Sequence, residues 1–538
     1  MRITFLGATH QVTGSCSLLE WLPGRYLLVD YGMEQGVNPY KTAELPVLPS
    51  QIEYIFLTHA HIDHSGNLPL LYRNGFRGTI YATPETINLC AIMLADSAHI
   101  QETDASYQTK KNLRAGREAV DPVYTLEDAQ GVMRLFRSCL YNEEIFVDEG
   151  ISVRFLDAGH LLGSSFVIVS LEENGEQRRI VFSGDVGNLN QPIIRDPQRV
   201  PAADYLLIES TYGTRLHEST HEPIPYLVET LRETFSRGGS VIIPAFAVGR
   251  TQELLYFFRE IKQRNLLPEF ASFPVYVDSP LANEATAVFL QCDVNCLDEE
   301  AQAIMRSGNN PIWFDGLHTV VDTEESKALN ENTEQKVIIA SGGMCEGGRI
   351  RHHLKHTLWE KKNTILFVGY QAEGTLGRMI YDGMNPVKIM GEEIEVNAEI
   401  RLLIGISGHA DRNGLLNWFN NFEQRPKTVF VNHGDDESCT GFAELLRQSF
   451  GIAAYAPYSG AEYDLLNGEW IRLTDPELRP EFKAREEHAA PTRKKENAFS
   501  NLLKAVEKLS AYTTGLEGHA NSEIRELTAE ILNLIPKQ

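Results

Sequence analysis

The sequence lacks long apolar runs, paired cysteines and a surplus of basic residues. No apolar run reaches the ~20 residues of a membrane-spanning helix, so we expect no membrane partner. The seven cysteines are scattered without CxxC pairs, which favours reduced thiols over a disulfide framework. The N-terminus lacks the long apolar segment of a signal peptide. Together these absences predict a cytoplasmic protein.

The charge balance is strongly acidic. There are 49 Lys and Arg residues against 73 Asp and Glu residues, which gives a formal net charge of -24. This balance argues against a protein that coats nucleic acid through a basic surface. It leaves open a local basic groove, and bound metal ions would offset carboxylates at a site.

The length and the apolar content predict several globular domains. A chain of 538 residues with 43% hydrophobic residues exceeds one core and suggests two or three domains. Short apolar strands fill the first two hundred residues. After residue 213, strands alternate with helical patterns such as 249–265, which indicates a parallel α/β sheet. Strands ending in histidine turns return at 398, and a polar linker with two short amphipathic helices follows residue 475.

The most informative stretch is THAHIDHSG, residues 58–66, which follows the apolar run YIFL. Such a run reads as a buried strand, and sites in α/β layers lie at the carboxyl ends of strands. Histidine and aspartate are common ligands of zinc and related ions. Residues two apart project the same way only while the chain is extended, so His59 and His61 would bind one ion. The chain must turn at Asp63 and His64, and this second pair would bind another ion. The alternative is a solvated, histidine-rich loop, since short motifs produce false positives.

Five further polar residues end apolar strands in turns. They are His160 in LDAGHLLGS, Asp185 in VFSGDVGN, Glu209 in LLIESTYG, His409 in IGISGHAD and His433 in VFVNHGD. Each one alone could have a structural role, such as capping a turn. Five such strand ends in a chain that also contains HxHxDH predict a metal centre.

The candidate ligands divide into two sets joined by one carboxylate. The sets are His59, His61 and His160 for one ion and Asp63, His64 and His433 for the other, with Asp185 as the bridge. We expect two zinc ions per chain, although manganese would also accept these ligands. A hydroxide shared by ions ~3.5–4 Å apart is suited to attack on phosphate esters.

The leaving oxygen of such a reaction needs a proton. His409 is the candidate general acid, because histidine can be charged near neutrality. Glu209 could hydrogen-bond to it and orient it. We therefore predict catalytic roles for Asp63, Glu209 and His409.

The ordered motifs resemble those of the metallo-β-lactamase fold and its β-CASP nucleases. HxHxDH, His160 and Asp185 match the hydrolase motifs, and Glu209, SGHAD and NHGD match the three additional β-CASP motifs. A histidine at the third additional motif marks the RNA-processing members, so His433 makes the chain similar to relatives of the cleavage and polyadenylation endonuclease. The glycine runs SGGMCEGGR (341–349) and GYQAEGTLGR (369–378) also resemble that group.

The resemblance implies an α/β fold, a metallo-β-lactamase αββα sandwich with an inserted parallel-sheet β-CASP domain and a short helical C-terminal tail. The implied segments are 1–210 and 398–475 for the hydrolase domain, 211–397 for the insert and 476–538 for the linker and tail. It also implies hydrolysis of RNA phosphodiesters to a 5′-phosphate and a 3′-hydroxyl.

Single-stranded RNA is the substrate implied, with phosphate contacts in the cleft between the domains. The candidate contacts are Ser407, Arg250, Arg349 and Arg378, whereas Arg351 reads as an ordinary surface residue. The alternatives are a two-metal hydrolase of a small ester or thioester, and a non-catalytic RNA-binding scaffold. Endonuclease or exonuclease action and a homodimeric assembly are left open.

Overall fold

The computed structural model describes residues 1–36, 38–217, 222–480 and 482–483. The chain divides into two compact units, Met1–Pro476 and Glu477–Gln538. The predicted amphipathic helices of the tail lie outside the described residues. No helix in the described part of the chain is long and apolar enough to cross a membrane.

The strands of the first unit are short and numerous. They are β1 Arg2–Gly7, β2 Cys16–Leu22, β3 Arg25–Val29, β4 Ile52–Phe56, β5 Thr79–Ala82, β6 Phe136–Ser138, β7 Glu144–Asp148, β8 Ile151–Asp157, β9 Ser165–Glu173, β10 Glu176–Phe182, β11 Tyr205–Glu209, β12 Val241–Ala245, β13 Val275–Asp278, β14 Leu317–Thr319, β15 Val337–Ser341, β16 Thr364–Phe367, β17 Val387–Ile389, β18 Glu392–Ile394, β19 Glu399–Leu402, β20 Thr428–Asn432, β21 Ala453–Tyr455, β22 Glu462–Asp464 and β23 Glu469–Arg472.

The α-helices connect these strands. They are α1 Ile62–Ser65, α2 Leu68–Arg73, α3 Pro84–Arg114, α4 Leu126–Met133, α5 Pro223–Ser236, α6 Arg250–Gln263, α7 Pro280–Gln291, α8 Glu299–Arg306, α9 Thr323–Glu331, α10 Ile350–Thr357, α11 Leu376–Tyr381, α12 Arg412–Asn420 and α13 Asp436–Phe450. Three short 3-10 turns lie at Pro49–Gln51, Pro268–Phe270 and Val294–Cys296.

Two mixed sheets pack face to face and form the centre of a sandwich. Their strand orders are β23-β22-β1-β2-β3-β4-β5-β6 and β21-β20-β11-β10-β9-β8-β7. Phe5 and Phe56 of the first sheet share one core with Val167 and Phe430 of the second. Because successive side chains of a strand point to opposite faces, the outer faces also carry apolar residues.

Helices cover these outer faces. Leu68 of α2 and Leu89 of α3 belong to the core outside the first sheet. Phe419 of α12 and Phe442 of α13 belong to the core outside the second sheet. The four layers confirm the predicted αββα sandwich.

A third sheet is built from the chain between the two parts of the sandwich. Its six strands are all parallel, in the order β14-β13-β15-β12-β16-β19. Alternate residues of β12 enter different cores, with Ile243 on one face and Ile242 on the other. This burial on both faces confirms the parallel sheet that the alternating pattern predicts.

One strand departs from the sequence interpretation. Residues 398–411 were expected to return to the hydrolase domain as a strand ending at His409, but Glu399–Leu402 pairs with β16 in the third sheet. His409 is held instead by an isolated bridge to Gly187. The apolar residues 403–406 that suggested one strand connect the two sheets.

Candidate metal centre

Most of the predicted site residues follow strands of the sandwich. His59 follows β4, His160 follows β8, Asp185 follows β10, Glu209 ends β11 and His433 follows β20. Strands β10, β11 and β20 are parallel neighbours, so their carboxyl ends meet at one edge. This connectivity gathers Asp185, Glu209 and His433 from distant parts of the sequence.

The HxHxDH segment changes direction between His61 and Asp63, as expected if its two pairs of side chains bind different ions. His61 has extended backbone angles and precedes the single helical turn α1, which carries Asp63 and His64. Gly32 packs against this turn so closely that a Cβ there would lie 1.6 Å from the carbonyl oxygen of Asp63. The backbone N–H of Tyr31 donates to the carbonyl of His64 over 2.9 Å. The turn thus directs the second pair away from the first.

Three imidazoles of the first set converge on one point. His61 Nδ1 lies 3.1 Å from His59 Nε2 and 3.3 Å from His160 Nε2. Both of these Nε2 atoms are 3.4 Å from Oδ2 of Asp185.

The second set converges on the other oxygen of the same carboxylate. His64 Nε2 and His433 Nε2 are 3.1 Å apart, and they lie 3.3 Å and 3.5 Å from Oδ1 of Asp185. Oδ2 of Asp63 is 3.5 Å from His433 Nε2. Asp185 therefore stands between the two sets, with one oxygen toward each.

The donor set fits divalent metal. The residues divide into the clusters His59, His61, His160 and Asp185, and Asp63, His64 and His433, and the ligand atoms within a cluster lie within 4.8 Å of one another. Asp185 is 2% exposed, yet its Oδ1 accepts no hydrogen bond from any residue that the structure describes. Buried polar atoms normally have partners, and converging nitrogen and carboxylate ligands are what zinc-type ions bind.

Neighbouring groups orient the imidazoles. Asp30 Oδ2 lies 2.7 Å from Nδ1 of His64, and the Thr58 hydroxyl lies 3.1 Å from Nδ1 of His59. The carbonyl of Gly408 lies 3.0 Å from Nδ1 of His160. Such contacts fix the ring so that the opposite nitrogen faces the metal.

Asp30 is a site residue that the sequence interpretation missed. It ends the apolar run YLLV in the same manner as the predicted ligands, and this signal could have identified it. It is 2% exposed and also accepts from the backbone N–H of Thr58 over 2.8 Å.

The protonation of the two sets differs in the protein alone. Burial lowers the pKa of His61 to about 3, and the neighbouring His59 adds repulsion. Burial would also lower the pKa of His64, but Asp185 and Asp30 raise it well above the usual value. The first set is thus ready to bind metal as neutral imidazole, whereas His64 must lose a proton.

His409 and Glu209 lie beside the ligands. Nδ1 of His409 is 3.1 Å from Oε1 of Glu209 and 4.0 Å from Oδ2 of Asp185. Burial opposes the charged form of His409, but these two carboxylates raise its pKa to about 9. Glu209 is fully buried and is fixed by the backbone N–H groups of Val186 and Thr211, at 2.7 Å and 3.1 Å.

The candidate phosphate contacts do not share one environment. Ser407 Oγ accepts from the backbone N–H of His409 over 3.2 Å, at the rim of the site. Arg250 pairs with Glu253 on α6, and Arg378 pairs with Asp382 on α11 over 2.8 Å.

Arg349 is used inside the protein, contrary to expectation. Its guanidinium donates to Asp278 over 2.5 Å and to the carbonyl of Val321 over 2.6 Å. Asp278 is fully buried and also lies 2.6 Å from Nε2 of His353. Arg351 donates to the carbonyl of Glu346 over 3.3 Å.

Comparison with known proteins gives the same assignment. Three protein-family models match the chain. They are the metallo-β-lactamase superfamily at residues 11–212, the β-CASP domain at 251–380 and the Zn-dependent metallo-hydrolase RNA specificity domain at 393–457. Ribonuclease TTHA0252 of Thermus thermophilus is 39% identical over 447 residues, which cover 83% of this chain and 96% of that protein. Transcription termination factor FttA of Pyrococcus abyssi is 32% identical over 85% of this chain and 70% of its own length. The chain belongs to the β-CASP group of the metallo-β-lactamase superfamily, the hydrolytic nucleases that its motifs predict.

Proposed function

We propose that this protein is a metal-dependent ribonuclease that hydrolyses phosphodiester bonds of single-stranded RNA and holds two zinc ions per chain. The observation that carries the proposal is the position of Asp185, whose two carboxylate oxygens face two separate sets of ligands. A carboxylate can bridge two ions, whereas each imidazole nitrogen serves one. Manganese remains an alternative for the same ligands.

The ligands have distinct tasks. Two bound ions would supply the Lewis acidity that activates water and withdraws charge from the phosphate. His59, His61 and His160 would hold one ion, and Asp63 with His64 and His433 would hold the other. Asp30 and Thr58 restrict the imidazole orientations, so little rearrangement is needed on metal binding.

His409 is placed to protonate the leaving oxygen. Its Nδ1 faces Glu209, which leaves Nε2 to donate toward the substrate. Glu209 has no freedom to turn away, because backbone N–H groups bind both of its oxygens. We therefore assign the general acid to His409 and its orientation to Glu209.

The RNA would lie between the sandwich and the third sheet. The ribonuclease and transcription-factor names of the relatives support an RNA substrate. Ser407, Arg250 and Arg378 are the proposed phosphate contacts, whereas Arg349 is not retained. We further propose that the inserted domain extends from the end of β11 to Leu402, since β19 pairs within it.

The test is cleavage of a 5′-labelled single-stranded RNA by zinc-loaded protein, with the matching duplex as competitor. Wild type should cut the single strand, and Asp63→Ala should not. Asp148→Ala is the matched control, because Asp148 pairs with Arg25 and Tyr54 outside the metal centre. If metal-loaded wild type leaves RNA intact but hydrolyses a small ester, the small-molecule alternative replaces the ribonuclease. If it binds RNA and cuts neither substrate, the scaffold alternative does.

A further inference from the structure

Two aromatic side chains stand exposed at the carboxyl edge of the third sheet. Phe246 directly follows β12 and is 54% exposed, and Tyr370 follows β16 and is 56% exposed. The two strands are neighbours in register, with Ile242 opposite Ile365. Carried forward, this register places Phe246 beside Gly369, the residue before Tyr370, and adjacent strands lie about 4.8 Å apart. Both rings are therefore accessible to a ligand.

The position of Phe246 is fixed by its own turn and by the loop after β15. Its carbonyl accepts from the backbone N–H and the hydroxyl of Thr251, over 3.2 Å and 2.7 Å. A Cβ at Gly343 would lie 3.3 Å from Cε2 of Phe246, so the bare glycine makes room for the ring. The same turn reaches the sandwich, because a Cβ at Gly249 would lie 3.1 Å from Leu161, the neighbour of His160.

The position of Tyr370 is fixed by hydrogen bonds of the neighbouring Gln371. The side-chain amide of Gln371 donates to the carbonyls of Gly343 and Tyr370, over 3.0 Å and 3.3 Å. These bonds join the loop after β15 to the loop after β16. Burial raises the pKa of Tyr212, a hydrogen bond with Ser407 and the charge of Arg250 lower it, and Tyr370 adds a smaller upward shift. The Tyr212 ring is in turn 6.3 Å from the ring of His409.

Cationic groups accompany the rings. Arg250 begins α6, four residues after Phe246, and pairs with Glu253. Arg378 on α11 lies eight residues after Tyr370 and pairs with Asp382. Aromatic faces beside arginines are the combination by which proteins bind single-stranded nucleic acid, where bases stack and cations track the backbone.

We propose that Phe246 and Tyr370 form two base-stacking sites that hold unpaired bases of the RNA next to the cleaved phosphate. This inference rests on the proposed ribonuclease function and names what the cleft recognises. Every base has a flat face, so the two sites accept any sequence. They select against a duplex, because bases that are stacked within a helix are not available to the rings. Strand preference thus arises at the edge of the inserted sheet and not at the metal centre.

The test compares ring removal with base removal. The variants are Phe246→Leu and Tyr370→Leu, with Trp359→Leu as the matched control. Trp359 is 54% exposed but precedes β16, so it lies at the opposite end of the same sheet. Substrates are a single-stranded RNA and versions with one abasic nucleotide moved along the strand. Each ring variant should raise KM for intact RNA about 10-fold with a small change in kcat, and Tyr370→Phe should retain wild-type values.

The proposal is tested by measuring each protein variant with both the intact and the abasic substrate, as in a double-mutant cycle. An abasic nucleotide at the stacking position should raise KM for wild type about 10-fold and should have little further effect on the ring variant. In the Asp63→Ala background, RNA carrying 2-aminopurine at that position should lose its stacking-induced quenching when the ring is removed. The inference would be overturned if the ring variants had the same KM as Trp359→Leu. It would also be overturned if an abasic nucleotide raised KM as much in the ring variants as in wild type. Failure of wild type to cut any RNA would instead overturn the ribonuclease proposal.

Discussion

The edge of the sandwich that carries the metal-site residues and the edge of the third sheet that carries Phe246 and Tyr370 share one arrangement but differ in solvent exposure. In both, functional side chains follow the carboxyl ends of neighbouring strands. His160, Asp185 and Glu209 are at most 7% exposed, whereas Phe246 and Tyr370 are more than half exposed. The groups that we propose to act on the phosphate are enclosed and oriented in advance, and the groups that we propose to meet the substrate are left open.

The difference follows from what each edge must do. A buried ligand kept in one orientation costs little reorganisation when a reaction develops charge. A ring that stacks on a base must stay accessible until the substrate arrives. The two edges should therefore respond differently to substitution, in metal content at one and in substrate affinity at the other.

Asp185→Asn should have the largest effect. The amide cannot offer an anionic oxygen to each ligand set, so we expect loss of at least one ion and roughly a 10³-fold fall in kcat, since metal assistance is worth several kcal/mol. Elemental analysis after dialysis and single-turnover RNA cleavage measure this. Asp148→Asn should leave both values unchanged. Full metal occupancy with normal cleavage in Asp185→Asn would exclude the bridging role.

His409→Ala should rank second and should separate chemistry from metal binding. Loss of the general acid lowers kcat by about 10²–10⁴-fold, with metal content as in wild type. An RNA with a sulfur leaving atom needs no proton, so it should be cut nearly as fast by the variant as by wild type. If His409→Ala loses metal, its assignment as an acid is wrong.

Asp30→Asn should have an intermediate effect, larger at the second ligand set than at the first. Removing the carboxylate that orients His64 should weaken metal affinity about 10- to 100-fold. Competition with a zinc-chelating dye gives the two affinities separately. Weakening of the first site alone would contradict the assignment of His64 to the second set.

The arginines should give the smallest effects, of two different kinds. Arg378→Ala should raise KM for RNA a few-fold and lower the salt dependence of binding by about one unit, as expected for one phosphate contact. Arg349→Ala should leave KM unchanged and lower the free energy of unfolding by about 2 kcal/mol, because buried Asp278 loses a partner. Denaturant unfolding and RNA binding at several salt concentrations distinguish the two.

Much of the site could be predicted because its residues mark the ends of apolar strands. Eight of the nine predicted residues lie together for this reason, whereas His409 is held by a bridge to Gly187. Asp30 carries the same signal as the eight. The prediction that the strand at Glu399 belongs to the hydrolase domain was wrong, because an apolar run does not reveal which sheet the strand joins. Arg349 was misjudged because its partner Asp278 is 71 residues away, and sequence spacing does not reveal such a pair.

The distance along the chain between His64 and His433 has a consequence for biosynthesis. These ligands are 369 residues apart, and the inserted sheet lies between them. At about 5–20 residues per second, a ribosome needs roughly 20–70 s to add that length. During this interval the emerging polypeptide has one ligand set without its last histidine. The proposed ribonuclease would therefore be synthesised without the means to cut the messenger that is still being translated.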